Sequence, residues 1–251
     1  MVDFVGAGCG AADLITVRGK KLIENADVLI YAGSLVNPEL TEYAKNSCEI
    51  YNSAYMTLGE VIDVMQKAEA EGKNTVRLHT GDPSLFGAIR EQTDRLDELG
   101  IEYRICPGVS SFCGAAASLK AEYTLPEVSQ SVIITRMAGR TPVPEKESLE
   151  SLASHGTSMV IFLSAGMTAE VSERLQKGGY TAETPAALVY KATWADEKVC
   201  RCTVGTLAET AEKNGINKTA LIVVGNFLGE NLHLSKLYDP SFETGFRKAI
   251  K

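Results

Sequence analysis

The residues best placed to do chemistry lie in short turns that interrupt apolar runs. Gly81-Asp82-Pro83 ends the β-rich run Thr75 to Leu78 and precedes a helical pattern carried by Leu85, Ile89, Leu96 and Leu99. A strand, a tight turn and a helix put a carboxylate beside unpaired backbone N–H groups, where open α/β sheets collect ligands. Ser110 and Ser111 begin a small-residue stretch through Ser118, and their hydroxyls suit either helix capping or gripping a carboxylate. A third turn, Gly6-Ala-Gly8-Cys-Gly10-Ala-Ala-Asp13, follows the first strand pattern.

Several chemistries fail on residue type or spacing. Gly6-x-Gly8-x-x-Ala11 satisfies the weak form of a dinucleotide fingerprint, but the second strand ends Tyr31-Ala-Gly-Ser34 without the acid that binds ribose hydroxyls. Asp27 stands at the wrong end of that strand. No Gly-x-x-x-x-Gly-Lys-Ser/Thr loop and no Gly-x-Ser-x-Gly elbow occur; the near miss at Gly108-Val-Ser-Ser-Phe lacks the second glycine. Six cysteines (Cys9, Cys48, Cys106, Cys113, Cys200, Cys202) are scattered without the spacing of a disulfide framework and are expected to be reduced. With only His79, His155 and His233 as nitrogen ligands and no Cys-x-x-Cys, no metal site is expected. Cys9 and Cys113 read as small buried thiols rather than nucleophiles.

These turns need strands and helices to hold them. Strands are expected at residues 2–6, 27–31, 48–51, 75–78 and 101–106, with helices through about Asn25, from Asn37-Pro38, from Leu58 to Gly72, and after Pro83. This alternation with short connections predicts a parallel sheet covered on both faces. The pattern breaks at Leu125-Pro126-Glu127. Strands then follow at 131–136, 158–163, 186–190, 198–204 and 219–224, with helices at 145–154, 168–177 and 207–214, and a turn at Trp194 separating two adjacent strands. The chain is therefore expected to form two α/β domains with mostly parallel or mixed sheets, 1–120 and 121–251.

A chain of 251 residues that is 45% hydrophobic can bury one large or two medium cores. Its net charge of −7 disfavours non-specific nucleic-acid binding, which clustered Lys and Arg drive. No apolar run is long enough to span a membrane, and Met1 to Gly6 enters a strand pattern directly, without the regions of a signal peptide. A cytoplasmic protein is expected.

Three motifs in order resemble the tetrapyrrole (corrin/porphyrin) methyltransferase family. They are Gly6-Ala-Gly-Cys-Gly-Ala-Ala-Asp-Leu-Ile-Thr-Val-Arg-Gly19, Val76-Arg-Leu-His-Thr-Gly-Asp-Pro-Ser-Leu-Phe-Gly87 and Cys106-Pro-Gly-Val-Ser-Ser-Phe112. Tyr31-Ala-Gly-Ser-Leu-Val36 and Leu125-Pro-Glu-Val-Ser-Gln130-Ser-Val-Ile-Ile-Thr-Arg136 are similar to the branch that methylates C11 of precorrin-4 or cobalt-precorrin-4 in cobalamin biosynthesis. The resemblance runs along essentially the whole chain.

It implies a homodimer whose protomers each hold S-adenosylmethionine in a cleft between the two α/β domains. Carried over by position, the residues lining the cofactor are Gly81, Asp82, Leu85, Ser110 and Ser111, with Leu163, Ala192, Ala220 and Leu221 from the second domain. Asp82 would meet the cofactor's ammonium or ribose hydroxyls. Arg18, Arg136, Tyr31 and Ser34 would face the carboxylates of the tetrapyrrole. Methyl transfer from a sulfonium is an in-line displacement with a neutral leaving group, so positioning is the main task, and Glu127 is placed to remove a later proton. Two other readings stand beside this one. The first keeps the fold and changes the substrate, to another precorrin position, uroporphyrinogen III, diphthine or ribosomal RNA. The second is a nucleotide-binding module without catalysis. The family usually has Pro where this chain has Cys9, so contacts that need the proline ring are in doubt.

Overall fold

A computed structural model describes residues 1–229 and 235–250; His233 lies outside them. The chain divides into two units. Unit 1 comprises Met1–Ala115 with Lys191–Glu197, and unit 2 comprises Ala116–Tyr190 with Lys198–Lys251.

Unit 1 is built on five parallel strands: β1 (Val2–Gly6), β2 (Val28–Tyr31), β3 (Glu49–Asn52), β4 (Thr75–His79) and β5 (Tyr103–Cys106), in the order β3-β2-β4-β1-β5. Alternation within the strands supplies both faces of the sheet. Val2, Phe4, Val28 and Ile30 pack on Val61, Ile62, Met65 and Ala68 of α2 (Leu58–Ala70) and on Leu96 of α3 (Arg90–Leu99). Val5, Leu29, Val76 and Leu78 pack on the other side with Ile23 of α1 (Val17–Asn25) and Leu40. A reciprocal Thr57–Glu60 capping box starts α2. The segment opened by Asn37 and Pro38 folds as a 3-10 helix over Pro38–Tyr43, capped by the Asn37 side chain.

The helix expected directly after Pro83 is displaced. α3 starts only at Arg90, because Phe86 and Ala88 take left-handed backbone (φ 56° and 49°) and coil residues 82–89 into a tight turn. Leu99 is 41% exposed and is not part of the buried face, whereas Leu96 is fully buried.

Unit 2 contains β6 (Val132–Arg136), β7 (Ser158–Phe162), β8 (Pro185–Tyr190), β9 (Lys198–Thr203) and β10 (Ala220–Val224), in the order β6-β7-β10-β8-β9. Only β6 and β7 pair in parallel, so the sheet is mixed. Leu149, Val171, Leu175, Leu207 and Ala211 cover it from α5 (Leu149–Ala153), α6 (Thr168–Lys177) and α7 (Leu207–Lys213), against Met159, Ile161, Leu188 and Ile222. The helix expected over 145–154 is broken. Ser148 takes extended backbone (ψ 149°) and caps α5 by accepting from the Ser151 N–H, leaving Glu145–Glu147 as a separate 3-10 turn. Among the described residues, no helix is long and apolar enough to cross a membrane.

Candidate functional site

Three turns at the C-terminal ends of β1, β4 and β5 converge on one another in unit 1. Gly8 and Gly81 exchange backbone hydrogen bonds, at 3.2 Å from Gly8 N to Gly81 O and 3.0 Å from Gly81 N to Gly8 O. This requires left-handed backbone at Gly81 (φ 63°), which glycine takes without steric cost. The third turn closes the group: a Cβ placed on Gly108 would stand 2.1 Å from Gly81 O and 2.7 Å from Gly6 Cα. Ser110 is buried behind this knot, and its Cα and the Ser111 N would both lie 3.4 Å from a Cβ on Gly81. α4 (Ser111–Leu119) begins there, with the Ser110 carbonyl accepting from the Cys113 N–H at 3.0 Å.

Asp82 braces the knot. Its Oδ2 accepts from the Gly108 N–H at 2.8 Å, and its Oδ1 accepts from the Ser84 N–H at 2.9 Å and from the Ser84 hydroxyl. Burial alone would raise this carboxyl, but the Ser84 hydroxyl and the two backbone N–H groups outweigh it and hold the group below its ordinary value. Both carboxylate oxygens thus work inside the chain, beyond the ligand contact that the family pattern implies. Leu85 follows, half-buried, its N–H donating to the Asp82 carbonyl at 3.2 Å.

Just before the knot, two buried polar atoms have no hydrogen-bond partner: His79 Nε2 and Thr80 Oγ1. His79 stacks on Phe4 at 6.0 Å between ring centroids, and burial together with the nearby Arg77 charge pushes its pKa down to about 3, so it is neutral. Arg77 is itself buried; its Nε donates to Gln92 Oε1 at 3.0 Å and its Nη1 to the Ile30 carbonyl at 3.3 Å. The close backbone packing at Gly6, Gly8 and Gly108, where a Cβ would meet backbone within 3 Å, lies beside the unpaired Thr80 hydroxyl and two serines, a set of donors and acceptors suited to a polar ligand.

The glycine loop lies beside this cradle. Cys9 is 6% exposed and packs against Gly114 of α4, where a Cβ would meet its sulfur at 3.1 Å. The Thr193 hydroxyl donates to Cys9 Sγ at 3.8 Å, so a hydrogen bond restrains this position in the absence of a proline ring. Ala192, expected from the second domain, groups with unit 1, because the turn Lys191–Glu197 packs on the glycine loop: a Cβ on Gly10 would stand 2.3 Å from the Ala192 carbonyl. Tyr31 closes β2, half-buried, with its carbonyl accepting from Ser53 Oγ at 3.2 Å. Ser34 follows it and is exposed. Arg18 is exposed in the first turn of α1.

In unit 2, Leu163 follows β7 with left-handed backbone (φ 53°) and 61% of its surface exposed. An exposed leucine in that conformation costs about 1 kcal/mol or more. Ser164 imposes it: the fully buried hydroxyl donates to the Phe162 carbonyl at 2.7 Å and accepts from the Met137 N–H at 3.0 Å. Leu163→Gly is therefore expected to stabilise unit 2 by about 1 kcal/mol, as read by urea unfolding. A less stable variant would show that the packing of the leucine outweighs the strain of its backbone.

Ala220 and Leu221 begin β10 and are buried, paired with Tyr190 and Val189. Glu127 is exposed, also in left-handed backbone (φ 61°), in a turn closed by the Val128 and Ser129 N–H groups donating to the Leu125 carbonyl. Ser129 Oγ anchors that turn to β7 by accepting from the Ser158 N–H at 3.0 Å. The Arg136 guanidinium donates to the Thr141 and Pro142 carbonyls at 3.1 and 2.7 Å and so shapes the loop after β6. The bracing residues Ser164 and Thr193 escape a reading of the sequence, since each holds a partner far along the chain, and the unpaired Thr80 lies inside a motif that gives it no role.

Comparisons with known proteins place the chain in one family. The model of the tetrapyrrole (corrin/porphyrin) methylases matches residues 1–208. A cobalt-precorrin-4 C(11)-methyltransferase of Methanocaldococcus jannaschii is 58% identical over 251 residues, covering 100% of this chain and 97% of the relative. A precorrin-4 C(11)-methyltransferase of a Sinorhizobium species is 44% identical over 248 residues, covering 98% of each. The X-ray structure of a cobalt precorrin-4 methyltransferase, a cobalamin biosynthetic enzyme, superposes with a TM-score of 0.89 at 45% identity, covering 91% of this chain and 96% of that one. With a family model over most of its length and relatives aligned from end to end, the chain belongs to the tetrapyrrole methylases.

Proposed function

We propose that the protein is an S-adenosylmethionine-dependent C-methyltransferase that modifies C11 of cobalt-precorrin-4 or precorrin-4 in cobalamin biosynthesis. The observation that carries this reading is the end-to-end identity of 58% to a relative of that name, supported by the converging glycine turns beside unpaired polar groups. The donor, when bound, supplies an electrophilic methyl on a sulfonium. The chain's own residues then bind and orient. Gly108 lets its turn close on the backbone of Gly81 and Gly6, Gly81 takes the left-handed backbone the turn needs, and Asp82 holds the two turns in register. Ser110, Ser111, Leu85, Leu163, Ala192, Ala220 and Leu221 are assigned to the donor by the family pattern. Orientation of this kind supplies several kcal/mol of a displacement barrier, about 7–11 in well-aligned intramolecular cases.

Arg18, Arg136, Tyr31 and Ser34 are assigned to the substrate's carboxylates. Arg136 does this from the end of β6, beside the loop that its guanidinium also shapes. Glu127 is assigned the removal of a proton from the methylated macrocycle; its exposed carboxylate sits on a turn anchored by Ser129. Cobalt, where present, belongs to the substrate. The protomer mass of 27.0 kDa would double in the homodimer assigned here, which sedimentation measures.

Calorimetry comes first: S-adenosylhomocysteine is expected to bind and NAD to be silent. Incubation with S-adenosylmethionine and precorrin-4, with and without cobalt, should add one methyl by mass, located at C11 by NMR. Binding of NAD alone would remove the methyltransferase reading. A methyl at another carbon, or on uroporphyrinogen III in preference, would move the assignment to another member of the family.

A further inference from the structure

Beyond its backbone pairing at Gly8, the glycine loop has one peptide plane both of whose polar ends are held by side chains. The Gly10 carbonyl accepts from Asn37 Nδ2 at 3.1 Å, and the Ala11 N–H of the same peptide donates to Thr193 Oγ1 at 3.0 Å. The two side chains come from positions 27 and 182 residues away. Each is anchored in turn. Asn37 is 8% exposed and its Oδ1 accepts from the Glu39 N–H at 3.1 Å, while the Thr193 N–H donates to Glu197 Oε2 at 2.5 Å. Thr193 adopts left-handed backbone (φ 69°), which a β-branched residue takes only where its surroundings impose it. Its hydroxyl also donates to Cys9 Sγ, so one side chain restrains two positions of the loop.

We infer that Asn37 and Thr193 form a two-sided clamp that fixes the Gly10–Ala11 peptide, and that they are positioning residues for methyl-donor binding. A glycine-rich turn is free to flip a peptide, exchanging an N–H for a carbonyl on the ligand side. The clamp opposes that freedom, because a flipped Gly10–Ala11 unit would set its N–H against the Asn37 donor, and its carbonyl could be met only by drawing the Thr193 hydroxyl proton away from Cys9 Sγ. Fixing the peptide before the donor arrives lowers the ordering cost of binding. Neither residue needs to touch the donor. The inference rests on the methyltransferase reading above for the identity of the ligand, but the clamp itself is a property of the free chain.

The test uses isosteric changes. Thr193→Val keeps the shape and removes the hydroxyl; Thr193→Ser restores it; Asn37→Asp keeps the acceptor for Glu39 and removes the donor to Gly10. In the protein without ligand, amide hydrogen exchange at Ala11 should accelerate in Thr193→Val and return in Thr193→Ser. By calorimetry the dissociation constant for S-adenosylhomocysteine should rise about three- to tenfold in Thr193→Val and in Asn37→Asp, the factor one lost hydrogen bond corresponds to. The double variant should lose less than the product of the two, since one peptide is shared. KM for S-adenosylmethionine should rise while kcat at saturation holds. Unchanged Ala11 exchange, or unchanged affinity in Thr193→Val when the parent binds well, would overturn the clamp. A parent that does not bind S-adenosylhomocysteine would instead overturn the methyltransferase reading, leaving the exchange measurement to judge the clamp.

Discussion

Gly108→Ala is expected to destabilise unit 1 by about 3 kcal/mol or more and to abolish measurable binding of S-adenosylhomocysteine. The added Cβ would meet Gly81 O at 2.1 Å, Gly6 Cα at 2.7 Å and Gly6 C at 2.9 Å, and all three are backbone atoms that no rotamer change can move. Gly6 and Gly81 cannot recede, since Gly6 ends β1 between β4 and β5 and Gly81 is bonded both ways to Gly8. Relief would have to come from separating the three turns that make the cradle. Gly72→Ala provides the control. That residue also has left-handed backbone (φ 68°), but its added Cβ would meet nothing within 4 Å, so the cost is the conformational one alone, about 1 kcal/mol, with affinity unchanged. Urea unfolding and calorimetry on both variants check the pair. Equal losses would mean that the close approach at Gly108 is not what shapes the site.

The strands were legible because strands buried on both faces read as unbroken apolar runs: Val28 to Tyr31 in the parallel sheet and Ala220 to Val224 in the mixed one needed no further signal. The mixed pairing of the second sheet was half legible, through the short turn at Trp194 that forces β8 and β9 to run antiparallel. Helix boundaries fared worse where a turn stored conformational strain. Residues 82–89 have the spacing of a helix, yet Gly87 lies so close to Pro83 that a Cβ would meet its carbonyl at 2.3 Å, and two left-handed residues follow from that closure. Ser148 looked like one position in an amphipathic helix and proved to be a cap, because a serine competes for backbone N–H groups as readily as it continues a helix.

The motifs located the candidate site, but not what each residue does there. Asp82 was visible as a carboxylate at a ligand-prone turn. That its partner would be the N–H of Gly108, 26 positions away, depends on tertiary contact. Thr193 and Asn37 were ordinary residues in their own neighbourhoods for the same reason. Ala192 lay in a turn between two strands of the second sheet, and only its packing on Gly10 assigns it to the first unit.

The Asp82 brace has a measurable pH signature. Asp82→Asn keeps the side-chain shape but turns an amide N–H toward either Gly108 or Ser84, both of which are donors there. Leaving a donor unsatisfied in this partly buried place costs roughly 1–3 kcal/mol, and the displaced Gly108 turn should weaken S-adenosylhomocysteine about tenfold at pH 7. Asp82→Ala is expected to lose stability as well as affinity, since it frees both backbone N–H groups at once. The folded protein holds the Asp82 carboxyl below its ordinary value of 3.8, so the unfolded chain takes up the proton first as pH falls. Its stabilising contribution is therefore complete above 3.8 and is lost as pH drops through the lower folded value. The stability gap between the parent and Asp82→Asn should be widest near neutrality, hold to about pH 4, and narrow below it. Urea unfolding of both proteins from pH 7 down through pH 3 reads this directly. A gap that stayed constant with pH would show that the carboxylate charge contributes nothing to bracing the cradle, and that Asp82 acts there by shape alone.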